Sequence, residues 1–263
     1  MAENYDTADA FGLAPILHPR TPDWYNKIID LSQYRAVRRA LALALISPAA
    51  RFLDVGCGTG RWLRRYGKLG FSPVGVDATF GMLRIAHSHG TVCPLVVGMA
   101  YDLPFPDSTF DCVTDITVVQ HIPYELQTKA FREMVRVLRP GGWMVLLELV
   151  RGEGAHIFPH SPRAWIEEVE SCGAKLKSHF GQEYFFLDRF FVYWASKLFG
   201  QRGDHVDLIQ KDDAHSRSPK VRRLYWHIRR FTVSLSAWTD PIFARVCPAS
   251  SANHSVFIFR KNY

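Results

Sequence analysis

The sequence predicts an α/β protein: a doubly wound, mostly parallel sheet of seven strands with an N-terminal helix in front and a helical insertion before the last strand. Three observations carry this. Between residues 51 and 149, apolar runs of strand length alternate with segments of helical periodicity. A glycine-rich turn joins the first strand of that series to its first helix. The chain, 263 residues with 48% hydrophobic and 22% charged, is sized for one large core, so a single domain over 1–263 is expected.

Taken in order, Gln33 to Ile46 places Tyr34, Val37, Leu41 and Leu45 roughly on one face and is closed by Pro48, which predicts a leading helix within a segment 1–50. The cofactor-binding core is expected over 51–150. Arg51 to Val55 reads as a strand, and Thr59 to Leu69 as a helix stopped by Gly70. Pro73 to Val76 and Cys93 to Val97 are strands around a helix from Phe80 to His87, and a Pro-rich connection runs from Leu103 to Thr109. Asp111 to Thr117 is the next strand, Pro123 to Leu138 a helix with Phe131, Met134, Val135 and Leu138 on one face, and Trp143 to Leu149 the fifth strand. Right-handed crossovers then fix a doubly wound sheet.

Beyond Val150 the rhythm changes. Ser161-Pro162 is a helix start ahead of Trp165, Ile166, Val169 and Cys172, and Gly173 ends that helix. Lys175 to Phe180 and Ser255 to Arg260 supply the last two strands. Between them, 181–250 is too long for a plain connection and predicts a helical substrate lid. Its helices are Tyr184 to Phe199, rich in aromatic residues, and Pro219 to Leu235, capped by Ser218, with Val221, Leu224, Tyr225 and Ile228 on one face and Arg222, Arg223, Arg229 and Arg230 elsewhere. Gly200 to Ser218 is polar enough for a mobile linker.

Composition narrows the function classes. Met1 to Ala10 is polar and acidic, and no uninterrupted apolar run of about 18 residues occurs, so a soluble, cytoplasmic protein without integral membrane association is expected. The five cysteines form no CxxC pair and have no zinc-like spacing with histidine, which reads as reduced thiols; no convergent Asp/Asn ligands follow the fourth and fifth strands, so no metal is expected. A net charge of +7 is read first as a basic soluble surface, with attraction to anionic substrates, a membrane surface or nucleic acid as the alternatives.

The chemistry concentrates in Asp54-Val55-Gly56-Cys57-Gly58-Thr59-Gly60. A glycine turn here lets a ligand approach the backbone closely. Its spacing is GxGxG rather than the GxGxxG of dinucleotide sites, and an anionic Asp54 would repel a pyrophosphate. Both features disfavour a nicotinamide dehydrogenase. Asp77 closes the second strand at about the distance where an acid binds ribose hydroxyls; it also suits a helix N-cap.

These residues resemble the first two motifs of class I S-adenosylmethionine-dependent methyltransferases, whose fold is Rossmann-like. The resemblance implies that Asp54, Gly56, Cys57, Gly58 and Gly60 face the methionine and ribose of the cofactor, that Asp77 and Ala78 bind its ribose side, and that Met82 lines the adenine pocket. Gly98 to Phe105 resembles the loop after the third strand, with Met99 where the family often has an adenine-binding aspartate; base recognition then falls to Met99, Ala100 and Tyr101 through backbone groups or van der Waals contact. Phe110 to Ile122 resembles the fourth-strand motif, placing Asp115, Ile116 and Gln120 against the cofactor, and Leu138-Arg139-Pro140-Gly141-Gly142 resembles the turn before the fifth strand. The match is closest to the type 11, small-molecule subgroup that includes ubiquinone and menaquinone methyltransferases.

Methyl transfer to a hydroxyl or carbon also removes a proton, which invites a general base. His121, just past the fourth strand, is the first candidate; Glu148, ending the fifth, is the second; His156 and His160 fit solvated loop positions better. Asp115-Ile116-Thr117-Val118 lacks the Asn/Asp-Pro-Pro-aromatic signature of nucleic-acid base methylation, so a small-molecule acceptor is expected and no nucleic acid. The closing run 252–261 resembles the last strand of methyltransferases found with bacterial surface-glycan biosynthesis, which implies O-methylation of a secondary metabolite or glycan. N- or C-methylation of a small molecule or quinone-like lipid, and a non-catalytic S-adenosylmethionine-binding partner, are the alternatives.

Overall fold

The computed structural model describes residues 22–152, 156–198 and 219–263. The expected Ser218 cap, the 200–218 linker and the acidic stretch 1–10 lie outside the described residues.

Seven strands form one sheet in the order β3-β2-β1-β4-β5-β7-β6. Their ranges are β1 Arg51–Val55, β2 Ser72–Asp77, β3 Leu95–Val97, β4 Phe110–Ile116, β5 Leu138–Leu149, β6 Ala174–Gln182 and β7 His254–Lys261. All pairings are parallel except those of β7, which runs antiparallel to both β5 and β6. The start of β7 therefore lies at the carboxyl edge of the other strands, where ligands bind in open α/β sheets.

Strand alternation divides the core. Leu53, Val55, Val113, Leu146, Phe257 and Phe259 pack one face together with α4 (Tyr124–Val137) and α5 (Pro162–Ser171). Phe52, Cys112, Val145, Val256 and Ile258 pack the other against α1 (Asp23–Leu43) and α2 (Arg61–Lys68). The remaining helices are α3 (Phe80–Ser88), α6 (Phe186–Leu198) and α7 (Pro219–Val246). Ser161 caps α5 as expected, its Oγ accepting from the Ala164 amide at 3.3 Å.

Three boundaries differ most from expectation. α1 begins at Asp23, ten residues before Gln33, because its first half buries Asn26, Ser32 and Gln33 as well as Ile29, and an apolar period cannot register polar burial. β5 begins at Leu138, and the Pro140-Gly141-Gly142 stretch is absorbed as an irregular start whose register with β4 shifts between Phe110 and Cys112. α7 runs eleven residues past Leu235 and carries Pro241 inside it.

Candidate active site

The turn after β1 is built by three glycines with positive φ, at 65° for Gly56, 52° for Gly58 and 72° for Gly60. They do different work. A Cβ at Gly56 would run into the Val118 side chain, and one at Gly60 into Thr91, so both are required by packing; a Cβ at Gly58 would meet open space. Gly58 is thus the point where the backbone faces outward. Its N–H donates to Asp77 Oδ2 at 2.8 Å, while Asp77 Oδ1 accepts from the Thr79 amide at 2.8 Å. Asp77 is therefore fixed at the end of β2; burial raises its pKa against those two backbone bonds.

Cys57 turns inward, packing with Leu63 and Leu83, and burial pushes its thiol up. It meets any ligand only through its backbone. Asp54 is buried below the turn: Oδ1 accepts from Thr114 Oγ1 at 2.8 Å, whereas Oδ2 is buried without a partner among the described residues. Burial pushes its pKa up to about 7. The sequence reading missed Arg61, the residue after the turn, whose buried guanidinium reaches Asp30 at 2.7 Å and Gln33 at 3.0 Å and straps α1 over the site. Only the fold reveals that partner.

At the adenine side, Met82 is buried, Ala78 exposed, and Ala100 and Tyr101 half-buried. Met99 is exposed, and its carbonyl accepts from the Asp102 amide at 3.0 Å in a tight turn.

Around the end of β4, two expected site residues are committed to holding the backbone. Glu148 is fully buried; its Oε1 accepts from the Val118 and Val119 amides and its Oε2 from Gln120, each at 3.1 Å, which caps the 3-10 turn Val119–His121. Asp115 Oδ1 accepts from the Val118 amide at 3.1 Å. Burial raises both carboxyls, and the neighbouring Asp115 raises Glu148 further. Neither side chain is presented to a substrate in this arrangement. Ile116 packs into the α1 face, and Gln120 bridges outward: its Oε1 accepts from the Leu149 amide at 2.7 Å and its Nε2 donates to His121 Nε2 at 3.3 Å.

His121 is open to solvent but ringed by protein, and burial lowers its pKa. Its Nδ1 lies 3.1 Å from the His156 carbonyl, so Nδ1 carries the proton and Nε2 receives the Gln120 amide. His160 is packed between Tyr124 and Trp165, with Nε2 at 3.4 Å from Glu168.

A second polar group at the same edge had no place in the sequence reading. Glu183 follows β6, and its Oε2 lies 2.8 Å from Nδ1 of His254, the first residue of β7. Gln182 Nε2 donates to Glu183 Oε1 and to Ser32 Oγ, both at 2.8 Å. The rule that ligands meet carboxyl edges, applied to β6, nominates Gln182 and Glu183; His254 needed the antiparallel sense of β7. No group of three or more His, Cys, Asp or Glu among the described residues is arranged to hold a metal ion.

A family profile described as a methyltransferase domain matches residues 53–146. A demethylmenaquinone methyltransferase of Lactiplantibacillus plantarum is 32% identical over 184 residues, covering 66% of this chain and 76% of that protein. One from Streptomyces griseus is 36% identical over 127 residues, covering 48% of this chain and 54% of that protein. The chain thus spans about half the length of several curated relatives it matches. Two solved structures share the fold: the [4+2]-cyclase SpnF (TM-score 0.55, 19% identity, 87% of this chain and 81% of that one) and the MccD protein (0.52, 18%, 86% and 96%).

The chain belongs to the class I S-adenosylmethionine-dependent methyltransferases. Within that class it is a member of the type 11 subgroup. The family's cofactor, S-adenosylmethionine, fits the residues present: an outward-facing Gly58, a fixed Asp77 beside it, and a buried carboxylate oxygen of Asp54 that lacks a partner.

Proposed function

We propose that this chain transfers a methyl group from S-adenosylmethionine to a small molecule, most plainly to the oxygen of a hydroxyl on a secondary metabolite or glycan. The observation that carries the reading is the Gly58 turn: one glycine faces open space, Asp77 fixes it, and the unpartnered Asp54 oxygen lies beneath. A buried carboxylate at that place suits a cationic ligand and opposes a pyrophosphate. When bound, the cofactor supplies a methyl carbon already activated by its sulfonium charge.

The protein's own part is alignment. Asp77 would hold the ribose hydroxyls, with Ala78, Met82, Met99, Ala100 and Tyr101 around the adenine. Asp54, the backbone of Gly56 to Gly60, and the Asp115, Ile116 and Gln120 segment would hold the methionine and sulfur side. Orienting two reactants in this way is worth roughly 7–11 kcal/mol in favourable cases. The 181–250 segment would form the acceptor's cover. Calorimetric titration with S-adenosylhomocysteine and with NAD tests the cofactor, and an acceptor screen with methyl-labelled cofactor tests the transfer. Preference for NAD overturns the reading; cofactor binding with no transfer to any acceptor favours a non-catalytic binding partner.

A second reading, methylation of a quinone-like lipid, is favoured by the relatives named demethylmenaquinone methyltransferases and by α7. Leu224, Ile228, Phe231, Leu235, Trp238, Ile242 and Val246 recur every three or four residues, and all but the half-buried Leu235 are exposed. Arg223, Arg230 and Arg245 are exposed on the same helix. A stripe of this kind suits an apolar acceptor met at a lipid surface. Co-sedimentation with anionic vesicles, lost in a Phe231→Ser, Trp238→Ser variant, supports it; absence of binding by the unmodified chain removes it. Among the described residues no helix is long and apolar enough to cross a membrane.

A further inference from the structure

Every titratable side chain at the ligand edge can be asked whether it has a lone pair to offer an acceptor's proton. Glu148 has both oxygens on backbone amides, and Asp115, fully buried, has Oδ1 on the Val118 amide and no surface to meet an acceptor. His121 in its neutral form has a single lone pair, on Nε2, and Gln120 occupies it.

His254 differs in each respect. Its Nδ1 lies 2.8 Å from Glu183 Oε2; with Nδ1–H as the donor to that oxygen, the neutral ring carries its lone pair on Nε2. No group among the described residues bonds to Nε2, and 10% of the side chain stays open to solvent. The carboxylate behind it is immobilised: Glu183 is 2% exposed, its carbonyl accepts from the Asn253 amide at 3.2 Å, and Gln182, anchored on Ser32 of α1, donates to its other oxygen. Glu183 also sits at φ 63°, a left-handed conformation rare for glutamate, of the kind that marks functional sites.

The placement suits an acceptor. His254 pairs with Leu149 at the end of β5 and with Gln182 at the end of β6. By strand alternation it lies on the face shared by Val256 and Ile258, the face toward α1 that Phe52 and therefore Asp54 also occupy. The edge carrying the cofactor turn thus continues across β4 and β5 to His254, beside the point where the 186–246 helices leave the sheet.

We propose that His254 is the general base of the acceptor site, with Glu183 as its positioning carboxylate and Gln182 and Ser32 holding Glu183 in place. The inference rests on the reading above of methyl transfer to a proton-bearing acceptor. The acceptor hydroxyl gives its proton to His254 Nε2 and its electron pair to the methyl carbon. The electron pair of the broken carbon–sulfur bond stays on sulfur, leaving a neutral thioether, and Glu183 offsets the charge of the imidazolium until the proton passes to solvent. The titratable and charged groups around this pair are His121 across the site after β4, Asp240 of α7, and Tyr25 of α1. Asp240 and Tyr25 act on Glu183, and His121 faces His254.

The test uses the full chain. Long-range 15N correlation spectra of its histidine side chains, with S-adenosylhomocysteine added, should show His254 protonated at Nδ1 and bare at Nε2, and Glu183→Gln should erase that preference. With the acceptor found by the labelled-cofactor screen, His254→Gln should lower kcat roughly 100-fold or more while leaving S-adenosylhomocysteine affinity within about twofold. Glu183→Gln should lower kcat less, by about tenfold, and shift the acid limb of the pH profile, which a merely structural role would not move. A proton on Nε2 in the spectra, or full turnover in His254→Gln, overturns the assignment, and loss confined to His121→Ala hands the base to His121. Failure of S-adenosylhomocysteine to bind the unmodified chain instead counts against the methyltransferase reading, and the spectra still decide the tautomer.

Discussion

Two regions end on the same edge of one sheet and solve the same problem, buried polar groups, by different means. In the proposed cofactor region the carboxylates that hold the turns take backbone amides: Asp77 those of Thr79 and Gly58, 2 and 19 residues away, and Glu148 those of Val118, Val119 and Gln120, at most 30 away. In the proposed acceptor region the partners are chiefly side chains brought from afar. Ser32 and Gln182 are 150 residues apart, Glu183 and His254 71, Tyr184 and Asp240 56, and Arg229 and Asp188 41. A site made from turns can be written as a short motif, whereas a site made from side-chain pairs exists only after the fold is complete.

The sharpest way to break this contrast is to remove Glu148, a residue whose position suggests chemistry and whose bonds suggest architecture. Glu148→Leu would strand the buried amides of Val119 and Gln120, each costing about 1–3 kcal/mol, while Val118 keeps Asp115 Oδ1, so a loss of about 4 kcal/mol in unfolding free energy is expected, read by denaturant titration. An unchanged stability with kcat abolished would return Glu148 to the catalytic list. In the acceptor region the corresponding variant is Asp188→Asn, which breaks a pair with both side chains fully buried and 3.4 Å apart. About 3 kcal/mol of stability should go. S-adenosylhomocysteine affinity, measured on the folded variant, should stay within about twofold; a parallel loss of affinity would mean that the two regions are one cooperative site.

Asp77→Ala is the converse case. It removes two charge-assisted bonds from the turn and the ribose acceptor together, and calorimetry should show cofactor affinity falling about 100-fold, or about 2.7 kcal/mol. A change under threefold would deny Asp77 any part in the ligand.

The same contrast explains what could be read in the chain itself. Gly56, Gly58, Gly60 and Asp77 were legible because the turn's positive φ angles and its nearby acid are local demands, although only the coordinates separate the outward-facing Gly58 from its two packing neighbours. The doubly wound, mostly parallel sheet followed from alternation and handedness. His121 and Glu148 were legible by position yet not by bonding, since nothing local says that Glu148 caps the 3-10 turn after β4 or that Gln120 occupies His121 Nε2. Glu183 and His254 were invisible for the opposite reason: their chemistry lies in the contact, and β7 had to be placed antiparallel between β5 and β6 before it existed. The end of α7 was misplaced because no stop signal follows Leu235 and Pro241 is carried within the helix.

The smallest expected effect follows from Asp54. Burial holds its pKa near 7, well above the ordinary 3.8, so below pH 7 the ligand-free protein keeps a proton that the unfolded chain has already released. A raised acid therefore favours the fold at low pH, and this contribution fades as pH rises from about 4 toward 7. A cation seated beside Asp54 reverses the preference by stabilising the carboxylate, so binding should expel the proton. Near pH 7, where Asp54 is about half protonated, roughly half a proton should leave per molecule bound, and affinity should rise about threefold per pH unit, steepening toward tenfold below pH 6. Calorimetry in two buffers of different ionisation enthalpy reads that number directly. Asp115 is raised by burial as well but already holds the Val118 amide, so Asp54→Asn should abolish the release on its own. Release that persists in Asp54→Asn would move the cation's partner to the β4 side of the site.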